Sequence, residues 1–462
     1  MASCGGGGGD CRLSCHRTDE EESTPRLALA SAEEGTRENL GSFSIGDRGL
    51  CSKCGLEKPV WNSLCLNCFR SSLYGKFKLA VTSNAMISPA DKVLVAFSGG
   101  SASRVALQFI HEMQCKLLKN WDASKSQGLA VFGVGVTLID ESIFSMSPSI
   151  DMAKAFEEIS KIVSELTPRK ELHIAPIESI CSENFDSGRR RLSDLLDSIS
   201  DPTGKEDFIH CLRMLLLQKI ALDNKYTKLL LGSCTSKMAR LIISSTVKGQ
   251  GYSLPADLQY VDSRWQVPIV LPLRDCLAHE LSMICHFDGL KTVPLFNQPS
   301  VGINGLVSSF IARLQDENPS RERTIVRTAD KLKPFSFNKF TEDGYYDSLP
   351  AVARSKFQTL NHMESDSEIL CPICRSPLSS SDWKNVLGLQ ANHHAKAETF
   401  VSQCCQSCRF QILPKERGSL EHFYSFLPSS MTDMTTEKTG ASRRWLREQI
   451  EEFLISGDEN GT

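Results

Sequence analysis

The most informative stretch of this sequence is Lys92-Val-Leu-Val-Ala-Phe-Ser-Gly-Gly-Ser101. Its first six residues are mostly apolar and typical of a short buried strand, and residues 105–118 carry apolar side chains at helical spacing. The turn between them consists of four small residues, Ser98, Gly99, Gly100 and Ser101. In such an arrangement the backbone N–H groups and the helix N-terminus can surround an anion, normally a phosphate. An ordinary tight turn between a strand and a helix leaves the same pattern.

Strand-like and helix-like segments alternate after this stretch. They are, in order, Leu129–Ile139, Asp151–Leu166, Glu171–Ile177, Phe208–Asn224, Lys228–Leu231 and a helix from about Thr235. The alternation predicts an α/β domain over residues 88–300, with a doubly wound parallel sheet covered by helices on both faces. Residues 182–206 contain Ser, Asp, Gly and the run Arg189–Arg191, and they are predicted to form an insertion or a flexible loop.

The composition limits the class of protein. Of the 462 residues, 41% are hydrophobic and 23% are charged, which excludes a wholly disordered, collagenous or coiled-coil chain. No apolar run approaches the ~18–20 residues that a membrane helix needs. The net charge of -3 excludes a globally basic nucleic-acid binder and leaves a local basic patch open. Residues 1–48, with Gly5–Gly9 and an acidic stretch, are predicted to be a disordered leader without a secretory signal.

The 18 cysteines are considered first as metal ligands or reactive thiols, because no secretory signal is recognised. Two CxxC pairs, separated by ten residues, are formed by Cys51, Cys54, Cys65 and Cys68. Such pairs can place four thiolates tetrahedrally around zinc, so residues 49–80 are predicted to be an N-terminal zinc ribbon that the metal stabilises. Four buried free cysteines and an iron–sulfur cluster on the same thiolates are the alternatives.

A second pair of CxxC motifs lies near the other end of the chain and consists of Cys371, Cys374, Cys405 and Cys408. Cys404 is a spare thiol, and His393 or His394 can replace one ligand. Residues 365–415 are therefore predicted to be a C-terminal zinc ribbon, with a reduced cysteine-rich hairpin as the alternative. A polar segment, residues 416–462, follows.

The glycine turn resembles the PP-loop, SGGxDS, of ATP pyrophosphatases that adenylate a base or a carboxyl oxygen. Cysteine pairs on both sides of such a domain are similar to the tRNA 2-thiolation group. The chain is identified on these motifs as a member of the cytoplasmic tRNA 2-thiolation protein 2 family, over about residues 48–415. The segments that carry the resemblance are Cys51–Phe69, Val95–Val105, Leu231–Ser236 and Cys371–Cys374.

The resemblance implies a PP-loop fold and a heterodimer with a catalytic thiouridylase subunit in the cytoplasm. Its substrates would be lysine, glutamine and glutamate tRNAs, which are thiolated at wobble uridine 34. Sulfur would come from a thiocarboxylated ubiquitin-like carrier. ATP binding by this chain is left open by the resemblance, because the loop departs from the family pattern.

Three departures bear on catalysis. Ala102 stands where SGGxDS has its aspartate, and residues 232–237, Gly-Ser-Cys-Thr-Ser-Lys, lack the acidic pair of a GHNxDD-like segment. A C-x-P-L stretch with a catalytic cysteine is matched by Val270-Leu-Pro-Leu273, which has no thiol. Cys234 is the candidate nucleophile, and Cys276 is expected on a helix that begins near Arg274. Persulfide chemistry needs two thiols that reach one sulfur, so small buried residues are the favoured interpretation of both cysteines.

The favoured function is a non-catalytic subunit that binds tRNA and stabilises its catalytic partner. One rival is a self-sufficient thiolation enzyme that uses Cys234 and ATP, and another is a zinc-finger interaction protein without a tRNA role. The RNA contacts considered are Arg189–Arg191, the lysines 76 and 78 with the aromatic residues 69, 74 and 77, and the basic residues 237, 240 and 248. Each group is also explained by solvated surface charge or by packing.

Overall fold

The structure is a computed structural model that describes residues 49–123, 131–144, 149–182, 184–293, 295, 301–318, 320–335, 369–379, 382 and 396–432. The predicted leader, His393 and His394, and the end of the predicted polar segment lie outside these residues. None of the described helices combines the length and the apolar content that crossing a bilayer requires.

A six-stranded sheet forms the centre of the fold. Its strands are β1 (Lys92–Ala96), β2 (Gly133–Asp140), β3 (Glu171–Pro176), β4 (Lys228–Leu231), β5 (Val261–Asp262) and β6 (Ile269–Val270). Their order is β3-β2-β1-β4-β6-β5, and all neighbours are parallel except β5 and β6. The chain fills one side of β1 with β2 and β3 and then crosses to the other side with β4. The switch point between β1 and β4 is where open α/β sheets bind ligands.

Helices cover both faces of the sheet, which confirms the doubly wound α/β prediction. Those packed in the core of one face are α1 (Leu66–Ser83), α2 (Ser101–Ala123), α3 (Ser149–Ser164) and α8 (Ala278–Phe287). Those of the other face are α4 (Phe185–Asp197), α5 (Pro202–Asp223), α6 (Thr235–Val247), α7 (Leu254–Asp257), α9 (Gly302–Glu317), α10 (Ser320–Ala329), α11 (Lys396–Gln403), α12 (Gln406–Gln411) and α13 (Arg417–Phe426). The second core therefore continues beyond residue 300.

The prediction of a loop over residues 182–206 was wrong, because α4 and the first turn of α5 lie there. Asn184 caps α4 by accepting a hydrogen bond from the Ser187 amide, and Asp201 caps α5 in the same way. Leu192 and Leu195 are fully buried and attach α4 to the core. Helix caps and the apolar spacing outweigh the polar composition that suggested a loop.

Candidate functional site

The four thiols of the first cysteine group, Cys51, Cys54, Cys65 and Cys68, come together in space. Their sulfur atoms lie within 4.8 Å of one another, and the Cys54 and Cys65 sulfurs are 3.7 Å apart. A tetrahedral zinc ion with Zn–S bonds of about 2.3 Å separates its thiolates by about 3.8 Å. The group therefore has the dimensions of a site for one tetrahedral metal ion.

A turn and a helix start position these four ligands. The turn is closed by the Gly55 amide, which donates to the Cys51 carbonyl at 2.8 Å, and Gly55 has a φ of +67°. The second CxxC motif begins at Cys65, the N-cap of α1. Burial opposes ionisation of Cys51, but hydrogen bonds from neighbouring backbone amides lower the pKa of this thiol to about 6. One ligand is thus disposed to be a thiolate, the form that binds a metal.

The second group, Cys371, Cys374, Cys405 and Cys408, has the same construction. Its sulfurs also lie within 4.8 Å of one another, with 3.6 Å between those of Cys374 and Cys405. The Arg375 amide closes the turn by donating to the Cys371 carbonyl at 2.9 Å, and Cys405 is the N-cap of α12. Burial opposes ionisation of Cys371, but hydrogen bonds from the other thiols lower its pKa well below the ordinary value.

Cys404 adjoins this second group but is not one of its four converging thiols. Its thiol is fully buried and donates to the Phe400 carbonyl at 3.3 Å. Burial and the neighbouring Cys371 raise the pKa of Cys404 well above the ordinary value. Cys404 therefore behaves as a small packing residue beside the metal-binding group.

The Ser98–Ser101 turn lies at the switch point of the sheet, directly before α2. Gly99 has a φ of +77°, and a Cβ there would lie 1.9 Å from the Val293 carbonyl oxygen, so only glycine fits. The Ser98 amide is already used, because it donates to the Ser103 hydroxyl at 3.2 Å. The amides that the turn can still offer an anion are therefore those of Gly99, Gly100 and the start of α2, where the first N–H groups have no carbonyl partner within the helix.

The loop after β4 packs directly on this helix start. A Cβ on Gly232 would lie 2.8 Å from the Ser103 amide nitrogen and 2.9 Å from the Ala102 carbonyl carbon. The two loops thus meet where a PP-loop enzyme needs its acidic side chains. Ala102 supplies no carboxylate at this place, and the described loop after β4 supplies hydroxyls, a thiol and Lys237 instead.

Cys234 and Cys276 lie side by side in the core next to that junction. They are 1% and 0% exposed, and the Thr235 amide donates to the Cys276 carbonyl at 2.9 Å. Burial raises the pKa of Cys276 to about 12. Cys276 precedes α8, which begins at Ala278, so its predicted place on a helix was wrong. This enclosure supports the interpretation of both residues as small core side chains.

Most of the aromatic and lysine surface considered for RNA packs against the protein in the structure, and only Lys78 of its five residues is exposed. Phe69 and Phe77 are 2% and 0% exposed in the core beneath α1, and neither can stack on a base. Lys76 Nζ lies 3.4 Å from Glu280 Oε1. Arg191 also has a structural role, since its guanidinium donates to the carbonyls of Cys181 and Ser425, each at 3.1 Å.

Only half of another group of basic residues was recognised from the sequence. Lys237 and Arg240 of α6 were noticed as a charged helix face, but His210 and Arg213 of α5 were missed. Arg213 Nη1 lies 3.4 Å from His210 Nδ1. Burial lowers the pKa of Lys237, and Arg213 lowers it further. Within each helix the two residues are three positions apart, and this spacing was the only local signal in the sequence. The two helices become neighbours only in the folded chain.

Comparison with known proteins identifies relatives along the whole chain. A family model described as "Cytoplasmic tRNA 2-thiolation protein 2" matches residues 302–411. The protein of that name from Oryza sativa subsp. japonica is 51% identical, with 100% of this chain and 98% of the relative covered. The Arabidopsis thaliana protein of the same name is 45% identical, with 97% and 98% covered.

Among solved structures, similarity is found to the U34-tRNA thiolase NcsA from Methanococcus maripaludis, which was solved with its 4Fe-4S cluster. The TM-score is 0.47 at 17% sequence identity, and the match covers 69% of this chain and 100% of that one. The full-length relatives confirm the family that the motifs resemble. The chain belongs to the cytoplasmic tRNA 2-thiolation protein 2 family.

Proposed function

We propose that this protein is the non-catalytic subunit of a cytoplasmic complex that 2-thiolates wobble uridine 34 of lysine, glutamine and glutamate tRNAs. A catalytic thiouridylase subunit adenylates the uridine and delivers sulfur from a thiocarboxylated ubiquitin-like carrier. This chain binds tRNA and stabilises that partner. Family membership supports the role in tRNA 2-thiolation.

One observation carries the non-catalytic assignment. The loops after β1 and β4 keep their close packing at the switch point, while the side chains there lack the expected carboxylates and enclose both candidate thiols. The magnesium ion that accompanies pyrophosphate is held by carboxylate oxygens, and sulfur transfer needs an accessible thiolate. Such a scaffold can bind tRNA and stabilise a partner subunit, but its described residues at this place lack the carboxylates and the accessible thiolate that the chemical step needs.

The four thiolates of each cysteine group, one beginning at Cys51 and the other at Cys371, are proposed to hold one structural zinc ion. A cubane cluster places irons and sulfides between its cysteines and so needs thiolates farther apart than those of a single ion. Sulfur atoms within 4.8 Å of one another therefore favour one ion. Metal analysis of anaerobically purified protein tests this, with two zinc ions per chain expected. Stoichiometric iron and sulfide with visible charge-transfer absorption would contradict it.

Single-turnover thiolation of unmodified lysine tRNA tests the function. ATP and a sulfur donor are supplied to the chain alone, to the catalytic subunit alone and to both together. The expected result is full activity only in the mixture. Product from the chain alone would overturn the non-catalytic assignment, and Cys234→Ser would then test the remaining nucleophile. A chain with intact metal sites that never raises the partner's activity would support the zinc-finger interaction protein instead.

A further inference from the structure

A basic patch, formed by Arg213 of α5 with Lys237 and Arg240 of α6, lies at the carboxyl edge of the parallel strands. α6 begins directly after β4, so Lys237 in its first turn lies at this edge. Arg213 is held at the same edge, because its Nη2 donates at 2.9 Å to Glu141, which directly follows β2. The patch is therefore next to the switch point between β1 and β4.

The two cations of α6 carry the positive charge that this patch presents to solvent. Lys237 is exposed and Arg240, one turn further along α6, is half-buried. Neither forms a hydrogen bond or an ion pair with the residues that the structure describes. Residues three apart on a helix have Cβ atoms about 5–6 Å apart, so both cations face one neighbourhood. Together they form an open, charged surface without a protein partner.

The cations of this patch repel one another. Burial lowers the pKa of Lys237 although its side chain reaches solvent, and Arg240 and Arg213 lower it further. His210 also reaches solvent, yet burial lowers its pKa to about 4 and so keeps it neutral. A bound anion would relieve both the repulsion and the desolvation of the cations.

Most of the carboxylate oxygens near the patch already accept hydrogen bonds. Glu141 accepts hydrogen bonds from Arg213 through both of its oxygens. Asp207 accepts from Lys248 at 2.7 Å and from Asn304 at 3.0 Å. Glu322 is fully buried; its Oε2 accepts from the Ser236 hydroxyl at 2.7 Å, and its Oε1 has no hydrogen-bond partner. A magnesium ion, which requires several oxygen ligands, therefore finds a single unoccupied oxygen among these three carboxylates, and that oxygen is closed to solvent.

We infer that this basic patch binds the phosphodiester backbone of RNA, with Lys237 and Arg240 as its phosphate contacts. Unpaired cations without metal-binding carboxylates suit a phosphodiester, which carries one charge per nucleotide, better than they suit a magnesium nucleotide. The inference rests on the proposed function, since tRNA is the RNA which that function brings to this chain. It assigns to the former catalytic edge of the sheet a role in holding the substrate.

The test measures binding of a labelled, unmodified lysine tRNA transcript to the full chain by fluorescence anisotropy over a series of salt concentrations. The double variant K237E/R240E is expected to bind at least about tenfold more weakly, because two phosphate contacts become repulsive. The slope of log affinity against log salt should fall by about 1.4–1.8, since each contact contributes about 0.7–0.9. The conservative variant K237R/R240K keeps both charges and should bind like the unaltered chain.

The matched control is K154E/K161E on α3. Both lysines are exposed, the charge change is the same, and α3 packs on the opposite face of the sheet. This variant should keep the tRNA affinity of the unaltered chain, so that net charge does not explain the loss. Metal content and thermal unfolding confirm that each variant is folded, and Lys237→Gln alone gives a milder variant whose salt slope should fall by about 1.

ATP, with magnesium and with a chelator, is the competing ligand. A K237E/R240E variant that binds tRNA like the unaltered chain overturns the inference, and so does one that loses only ATP binding. If the inference fails in either way but the unaltered chain still raises thiolation by its partner, the proposed function stands without this RNA-binding site. An unaltered chain that neither binds tRNA nor raises thiolation overturns the proposed function as well.

Discussion

The two cysteine groups have the same ligands and the same local construction, but different surroundings. The first group lies outside both apolar cores, with Cys54 exposed and with Leu50 and Leu56 61% and 81% exposed beside it. In the second group, Cys371 and Cys408 belong to the apolar core that α5 and α6 share. A pair of CxxC motifs therefore says nothing about how much of the fold depends on the metal. That dependence is set by what packs around the site.

Contacts between distant segments tie the second group to the sheet domain. Arg375, next to Cys374, donates from Nη2 to the Arg264 carbonyl at 3.1 Å. Arg264 is itself held by Asp257 and Asp262. At the other side of the group, α12 ends against the first turn of α5. The first group reaches the sheet domain mainly through α1 and through Trp61, whose ring lies 4.7 Å from that of His279.

The largest effect is expected from Cys371→Ser. A structural zinc site contributes about 10–16 kcal/mol in small zinc-binding peptides, whereas a whole domain is stable by about 5–15 kcal/mol. Because Cys371 is fully buried in the shared core, loss of its metal should abolish the cooperative unfolding transition of the whole chain. Calorimetry and metal analysis measure both consequences.

Cys404→Ser is the matched control for that variant. It exchanges a fully buried thiol beside the group for a hydroxyl, but Cys404 is not one of the four converging ligands. The second metal ion and the cooperative transition should both persist, with a modest loss of stability. Equal damage from the two variants would show that packing, rather than the metal, makes this region essential.

The next effect concerns the contact between α5 and α12. A Cβ on Gly204 would lie 1.9 Å from the Gln411 carbonyl oxygen, which is backbone and cannot turn aside. We expect Gly204→Ala to lower the free energy of unfolding by about 1–3 kcal/mol, the range for overpacking in a core. Gly418→Ala in α13 is the control, because its Cβ meets nothing within 4 Å. A neutral Gly204→Ala would mean that the second group is less firmly docked than the contact indicates.

A smaller global effect is expected from Cys51→Ser in the first group. The apolar residues of α1, such as Phe69 and Phe77, remain packed without the metal, so global stability should fall by only about 1–2 kcal/mol. The change should instead be local, with one metal ion lost and new protease cleavage between residues 50 and 65. Thiolation by the complex should also fall. Normal thiolation by a complex that lacks this metal ion would show that the first cysteine group is not needed for activity.

Local patterns in the sequence account for the predictions that succeeded. The buried strand before Ser98 and the alternating segments after it identify the parallel sheet, since strand and helix periodicities are read within one segment. The four-cysteine groups are visible because each CxxC motif is a local turn. For α4, the cap at Asn184 and the spacing of Leu192 and Leu195 were present, but three arginines obscured them.

Features that depend on distant segments could not be read in this way. The burial of Cys371 depends on α5, and its neighbour there, Cys211, has a pKa raised by burial and by Cys374. The basic patch likewise needs Arg213 and Lys237, whose helices become neighbours only after β4 enters the sheet beside β1. No spacing within one segment encodes such meetings, because the topology of the whole sheet creates them.

The smallest effect is the order in which a chelator removes the two metal ions. Chelators reach a metal through exposed ligands, and Cys54 is exposed while Cys371, Cys405 and Cys408 are buried. We expect one ion to leave quickly without a measurable change in the thermal transition, and the second to leave only as that transition is lost. A metal-sensitive dye recorded alongside circular dichroism follows both steps. Release of both ions in one step, together with unfolding, would mean that the first group is as deeply coupled to the core as the second.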